Sequence, residues 1–131
     1  MSRVTLRVRA SFAVLLASVA VAAQAAEIRS PDGQTVVTVD VDKNGAPRYA
    51  VARNGTVVMP AGFLGMRFQS QPAFDDGFRV AGTSTSVHDE TWEQPWGERR
   101  FVRDHHNELL LRFVDPAERR FDLRVRAFDD G

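Results

Sequence analysis

The strongest constraint in this sequence is a two-residue rhythm of apolar and polar side chains, and no helical rhythm competes with it. In Thr35–Val41, Val37, Val39 and Val41 fall on one side and Thr38 and Asp40 on the other. In Phe121–Ala127, Phe121, Leu123, Val125 and Ala127 alternate with Asp122, Arg124 and Arg126. Successive side chains of a strand point to opposite faces, so this pattern builds sheets with one buried and one wet face. Asn107–Val114 repeats it with Leu109, Leu111 and Phe113. Beyond the leader, no ten-residue stretch carries apolar residues at 3.6-residue spacing.

Turn residues punctuate the strands. Pro31-Asp32-Gly33 closes a short extended stretch over Glu27–Ser30, and Lys43-Asn44-Gly45 leads into Arg48–Arg53. Asn54-Gly55 before Thr56–Met59 is a strong hairpin signal, because both residues accept the positive φ of a type I′ turn. Leu64–Phe68 reads as a further strand, Gln69–Gly77 as a loop, and Phe78–Ala81 as a strand that either continues through Gly82–Ser86 or gives way to a loop. The pattern predicts an all-β, antiparallel β-sandwich. Asp129-Asp130-Gly131 reads as a hairpin turn that should deliver the chain into another strand, so the expectation is a sandwich incomplete at the C-terminus.

Composition bounds the chemistry. The 131 residues hold 17 basic and 17 acidic side chains and no cysteine. Balanced charge gives no footprint for nucleic acid, and the missing thiols exclude disulfides, thiolate metal sites and cysteine nucleophiles. Arg3, Arg7 and Arg9 precede an apolar run from Phe12 to Ala23 that ends in Ala23-Gln24-Ala25. A positive start, a short apolar run and a small-x-small exit predict a signal peptide over residues 1–25. The run is shorter than the roughly 20 residues a membrane span needs. Residues 26–131 are then an exported, mildly acidic domain with no membrane span after signal cleavage. Arginine almost wholly replaces lysine, a coding bias of GC-rich bacteria, which places the product in a Gram-negative periplasm.

Residues with chemical potential cluster between His88 and Glu108. His105 and His106 point to opposite sides of a strand and cannot share an ion. His106 and Glu108 share a side, and His88 or Asp89 could join them from elsewhere, but no third ligand stands at a recognised spacing, so no metal site is predicted. Asp89, Glu90, Glu93 and Glu98 could serve as acid–base groups, but nothing in their spacing marks a catalytic pair. No Gly-x-Ser-x-Gly elbow is present. Trp92 and Trp96, the only tryptophans, lie in a Pro/Gly-bent segment ending at Glu98. Indole faces pack on sugar rings or fill a core, and both readings stay open.

Taken in order, Ser30-Pro31-Asp32-Gly33, His88-Asp89-Glu90-Thr91-Trp92, Trp96-Gly97-Glu98, Arg103-Asp104-His105-His106-Asn107-Glu108-Leu109 and Ala127-Phe128-Asp129-Asp130-Gly131 resemble the N-terminal domain of glycoside hydrolase family 97. That family usually reads Asn and Tyr where this chain has Asp104 and His106. The resemblance implies a supersandwich-like fold packed on a (β/α)8 barrel in an exo-acting α-glucosidase or α-galactosidase, with calcium in the full-length enzyme. It places the catalytic residues beyond this stretch. The expectation is an N-terminal β-sandwich over 26–131 that supports the barrel, with no catalytic residue and no cofactor of its own. Trp92, Trp96 and Glu98 are the candidate contacts to an α-linked oligosaccharide at the pocket rim. A freestanding periplasmic carbohydrate-binding module is the alternative.

Overall fold

A computed structural model describes residues 25–131. The leader read between Arg3 and Gln24 lies outside the described residues. Seven strands form two antiparallel sheets: β1 (Ala26–Arg29), β2 (Thr35–Val41), β3 (Pro47–Arg53) and β4 (Thr56–Phe63) in the first, β5 (Arg79–Glu93), β6 (Phe101–Val114) and β7 (Arg120–Phe128) in the second. Each sheet follows chain order, so every connection within a sheet is a hairpin. Among the described residues there is no helix, and the antiparallel sandwich is as the alternation predicts.

The core forms where the alternating faces meet. Register pairs Leu109 with Val125, Leu111 with Leu123 and Phe113 with Phe121, all turned inward. Facing them are Ile28 on β1 and Val37 and Val39 on β2. Leu111 and Val39 are fully excluded from solvent. The sheets overlap chiefly through β1 and β2 lying over β6 and β7. One end of the sandwich is closed by aromatic rings: Phe78 stands edge-on to Phe113 and Phe121, and Phe74 packs beside Phe78.

One detail departs from the pattern-based expectation, and one open choice is decided. Leu64–Phe68 is not a strand; only Met66 pairs, through a single bridge to Phe74. Its apolar residues serve a connection that carries the chain from one sheet to the other, where Phe68 meets Phe74 edge-on. Gly82–Ser86, left open above, continues the strand, because β5 keeps pairing with β6 across a bulge near Gly82.

The turns do the remaining work. Asn54 and Gly55 have φ of 49° and 77°, as a type I′ hairpin requires. Gly45, at φ 76°, is tied to the far connection: the Phe78 N–H donates to the Gly45 carbonyl and the Gly77 N–H to that of Asn44. A Cβ on Gly45 would fall 2.6 Å from the Phe78 nitrogen. Only glycine allows that approach.

Carboxylates hold other turns. The Ser30 hydroxyl donates to Asp32 Oδ1 at 2.5 Å, and the Asp32 N–H donates to Asp129 Oδ1 at 2.8 Å. The Arg53 guanidinium reaches the Asp129 carbonyl and the Thr35 hydroxyl. The Ser30 hydroxyl and the Gln34 N–H hold the Asp32 carboxyl below its usual value. Burial pushes the Asp115 carboxyl up, but hydrogen bonds from the Arg119 N–H and guanidinium outweigh it and leave it lowered.

Two predictions follow from this packing. Gly45→Ala forces both a left-handed backbone and a backbone clash and should cost at least about 1–3 kcal/mol in a denaturant titration; an unchanged midpoint contradicts the assigned contact. Asp32 and Asp115 bind protons more weakly folded than unfolded, so their stabilisation is complete above about pH 5 and drains away as pH falls below about 4. The melting temperature should therefore decline below about pH 4.5, and Asp115→Asn should make that decline shallower. An identical acid profile in the variant would refute the assignment.

Candidate functional site

The chemistry-bearing window folds into one hairpin. β5 and β6 pair without interruption from Thr83↔Leu111 out to Glu93↔Phe101, whereas β7 pairs with β6 no further than His106↔Phe128. Past that point the pair continues as a two-stranded ribbon beyond the third strand. The Gln94–Arg100 loop caps it, closed by the Gln94 N–H donating to the Arg100 carbonyl at 2.9 Å. Gly97 sits in this loop at φ 121°.

Trp92 belongs to β5 rather than to a loop, while Trp96 and Glu98 occupy the loop. Trp96 is 84% exposed and Trp92 48%. Neither indole lies in the core of the described residues. The three residues share the outer end of the ribbon.

The two sides of the ribbon differ. On the inward side, Arg103 donates two hydrogen bonds to Asp89, both at 2.8 Å. That bidentate pair holds the Asp89 carboxyl below its usual value and spans the two strands diagonally. On the outward side, register places His88 opposite His106, and His106 opposite Phe128. Their rings stack across all three strands, with centroids 4.9 Å and 4.8 Å apart. His106 is 3% exposed and donates from Nδ1 to Asp104 Oδ1 at 2.5 Å. An ionised carboxylate only accepts, so this partner sets which ring nitrogen carries the proton.

His106 and Glu108 share a side of β6, as expected, but they do not pair with each other. Glu108 is engaged by Arg126 at 2.8 Å and Arg124 at 3.3 Å, and the Arg126 hydrogen bond first, then both charges, lower its carboxyl. The partner of His106 is Asp104, two residues away on the same side of the strand. His88 was reachable by hairpin arithmetic, since His88 and His106 are equidistant from Gly97. Among the described residues no three His, Asp or Glu side chains converge to hold a metal ion.

Asp104→Ala strips the buried imidazole of its partner and should cost about 1–3 kcal/mol in chemical denaturation. Asp104→Asn keeps an acceptor and should lose less. Equal losses for the two would show that the hydrogen bond to His106 contributes nothing.

Comparison with known proteins places this arrangement. The family model described as Glycosyl-hydrolase 97 N-terminal matches residues 28–131. A retaining alpha-galactosidase of Bacteroides thetaiotaomicron is 25% identical over 104 residues, which make up 79% of this chain and 15% of that enzyme. A glycoside hydrolase family 97 enzyme from Pseudoalteromonas sp. strain K8, solved with panose and also with acarbose, aligns at a TM-score of 0.74 and 30% identity, covering 79% of this chain and 16% of that one. A beta-arabinopyranosidase shares the fold at a TM-score of 0.72 and 22% identity, again over 79% and 16% of the two chains. The chain thus spans about one sixth of the length of these relatives. On the match across nearly all its described residues, the chain belongs to the glycosyl-hydrolase 97 N-terminal family.

Proposed function

We propose that this chain is the exported N-terminal β-sandwich of an exo-acting family 97 α-glycosidase, working in the periplasm beside a (β/α)8 catalytic body. It supports that body and shapes the rim of the sugar pocket with Trp96, Glu98 and Trp92, and it does not catalyse by itself. The observation that carries the reading is the family match over residues 28–131 to enzymes about six times longer. The exposed ribbon adds to it: a stiff, two-stranded arm ending in an open indole is suited to reach across an interface and line a neighbouring cleft. An α-linked oligosaccharide is the expected ligand, as the family 97 relative solved with panose suggests.

In the full-length gene product, Trp96→Ala should raise KM for an α-linked oligosaccharide by about tenfold with kcat little changed, the signature of lost binding that is equal in ground and transition states. Residues 26–131 alone should leave an aryl α-glucoside intact. Turnover by that domain, or an unaltered KM in the variant, would overturn the proposal. The alternative, a freestanding carbohydrate-binding module, is favoured by the solvent-facing tryptophans. It predicts saturable quenching of Trp fluorescence when maltooligosaccharides are added to the chain without any catalytic partner.

A further inference from the structure

The outward side of the ribbon carries further groups in line with Trp92 of the pocket rim. Register turns Trp92, Glu90 and His88 of β5 and Asp104 of β6 to the same side of the sheet, through the pairs Trp92↔Val102, Glu90↔Asp104 and His88↔His106. At a rise of about 3.3 Å per residue, Trp92 to His88 spans roughly 13 Å, the length of a short oligosaccharide. The indole offers a flat apolar platform about half open to solvent. His88 Nε2 lies 3.4 Å from Glu90 Oε2 and 3.7 Å from Asp104 Oδ2. Both distances are longer than good hydrogen bonds, so the three groups keep capacity for an outside donor or acceptor. Asp104 commits only its other oxygen, to His106.

The geometry is held from below. Buried His106 stacks under His88 and fixes Asp104, while the Asp89–Arg103 pair braces the opposite side of the ribbon. Pre-ordering of this kind lowers the entropy cost of binding. The chemistry selects the ligand class. Two carboxylates repel a phosphate or any other anion, and no three ligands converge on a cation among the described residues. An apolar platform beside carboxylate acceptors and an imidazole suits a neutral, hydroxyl-rich chain whose C–H face stacks while its hydroxyls donate.

We propose that this outward face is a glycan subsite that extends the pocket rim inward along the ribbon from Trp92, with that indole as stacking platform and Glu90, His88 and Asp104 as hydroxyl partners for an α-linked oligosaccharide. It rests on the reading that the chain serves an α-glycosidase. The experiment titrates panose at millimolar concentration into the full chain and into Trp92→Ala, Glu90→Gln and Trp96→Ala, followed by calorimetry. Melting curves check that each variant is folded, and Glu90→Gln is nearly isosteric at an exposed position. The inference expects panose affinity to fall about tenfold in Trp92→Ala and in Glu90→Gln. Loss of binding in Trp96→Ala with Glu90→Gln unaffected would sink the subsite and leave the rim reading standing. Absence of panose binding to the parent chain would sink the subsite outright, and the kinetic test of Trp96→Ala would still judge the rim.

Discussion

Everything in this domain is arranged around the inward face of β6. It is the only strand of its sheet bonded on both edges, and its Leu109, Leu111 and Phe113 are almost wholly buried between the two sheets. With no cysteine in the chain, no covalent link shares the task. Burial of apolar surface must offset the ordering of the backbone, and it is concentrated where β1 and β2 lie over β6 and β7. The strands outside that overlap are secured by hydrogen bonding to it. β4 accordingly shows solvent exposure at Val57, Val58, Met59 and Phe63.

Polar links then lock the orientation of the sheets, which apolar packing leaves loosely specified. Asp32, in the first turn, and Asp129, in the last, are almost a whole domain apart in sequence, yet one donates its N–H to the other's carboxylate. Arg53 joins the same cluster from β3. The Asn107 side chain donates to the Arg29 carbonyl and ties β6 to β1 across the sandwich. The Ser-Pro-Asp-Gly and Phe-Asp-Asp-Gly segments thus form one junction between the sheets rather than two unrelated turns.

The ribbon follows from an inequality of strand lengths. β5 and β6 outrun β7, and where the third strand stops the pair emerges with both sides accessible. The stack of His88, His106 and Phe128 marks the exit and anchors it. A buried imidazole is tolerated there because Asp104 satisfies it. The same stack marks a boundary: below it β6 and β7 contribute Leu109, Leu111, Phe113 and Ala127 to the core, and beyond it most residues of the ribbon are exposed.

Much of this was legible before any coordinates. The β class, the hairpin turns and the inward set of Leu109, Leu111, Phe113 and Val39 follow from two-residue alternation and from glycine-bearing turns, since both are local consequences of backbone stereochemistry. The ordered motifs also pointed to the right family. The fate of Leu64–Phe68 was not legible, because apolar residues in a connection that wraps the end of a sandwich look like those of a strand. Nor was the pairing of His106 with Asp104, or the exposure of both tryptophans. Those depend on register and on where β7 stops, quantities decided by non-local packing. The amino-acid order by itself determined which residues alternate and where the chain turns; only the tertiary structure decided which side chains meet, because cross-strand neighbours are set by sheet pairing and not by distance along the chain.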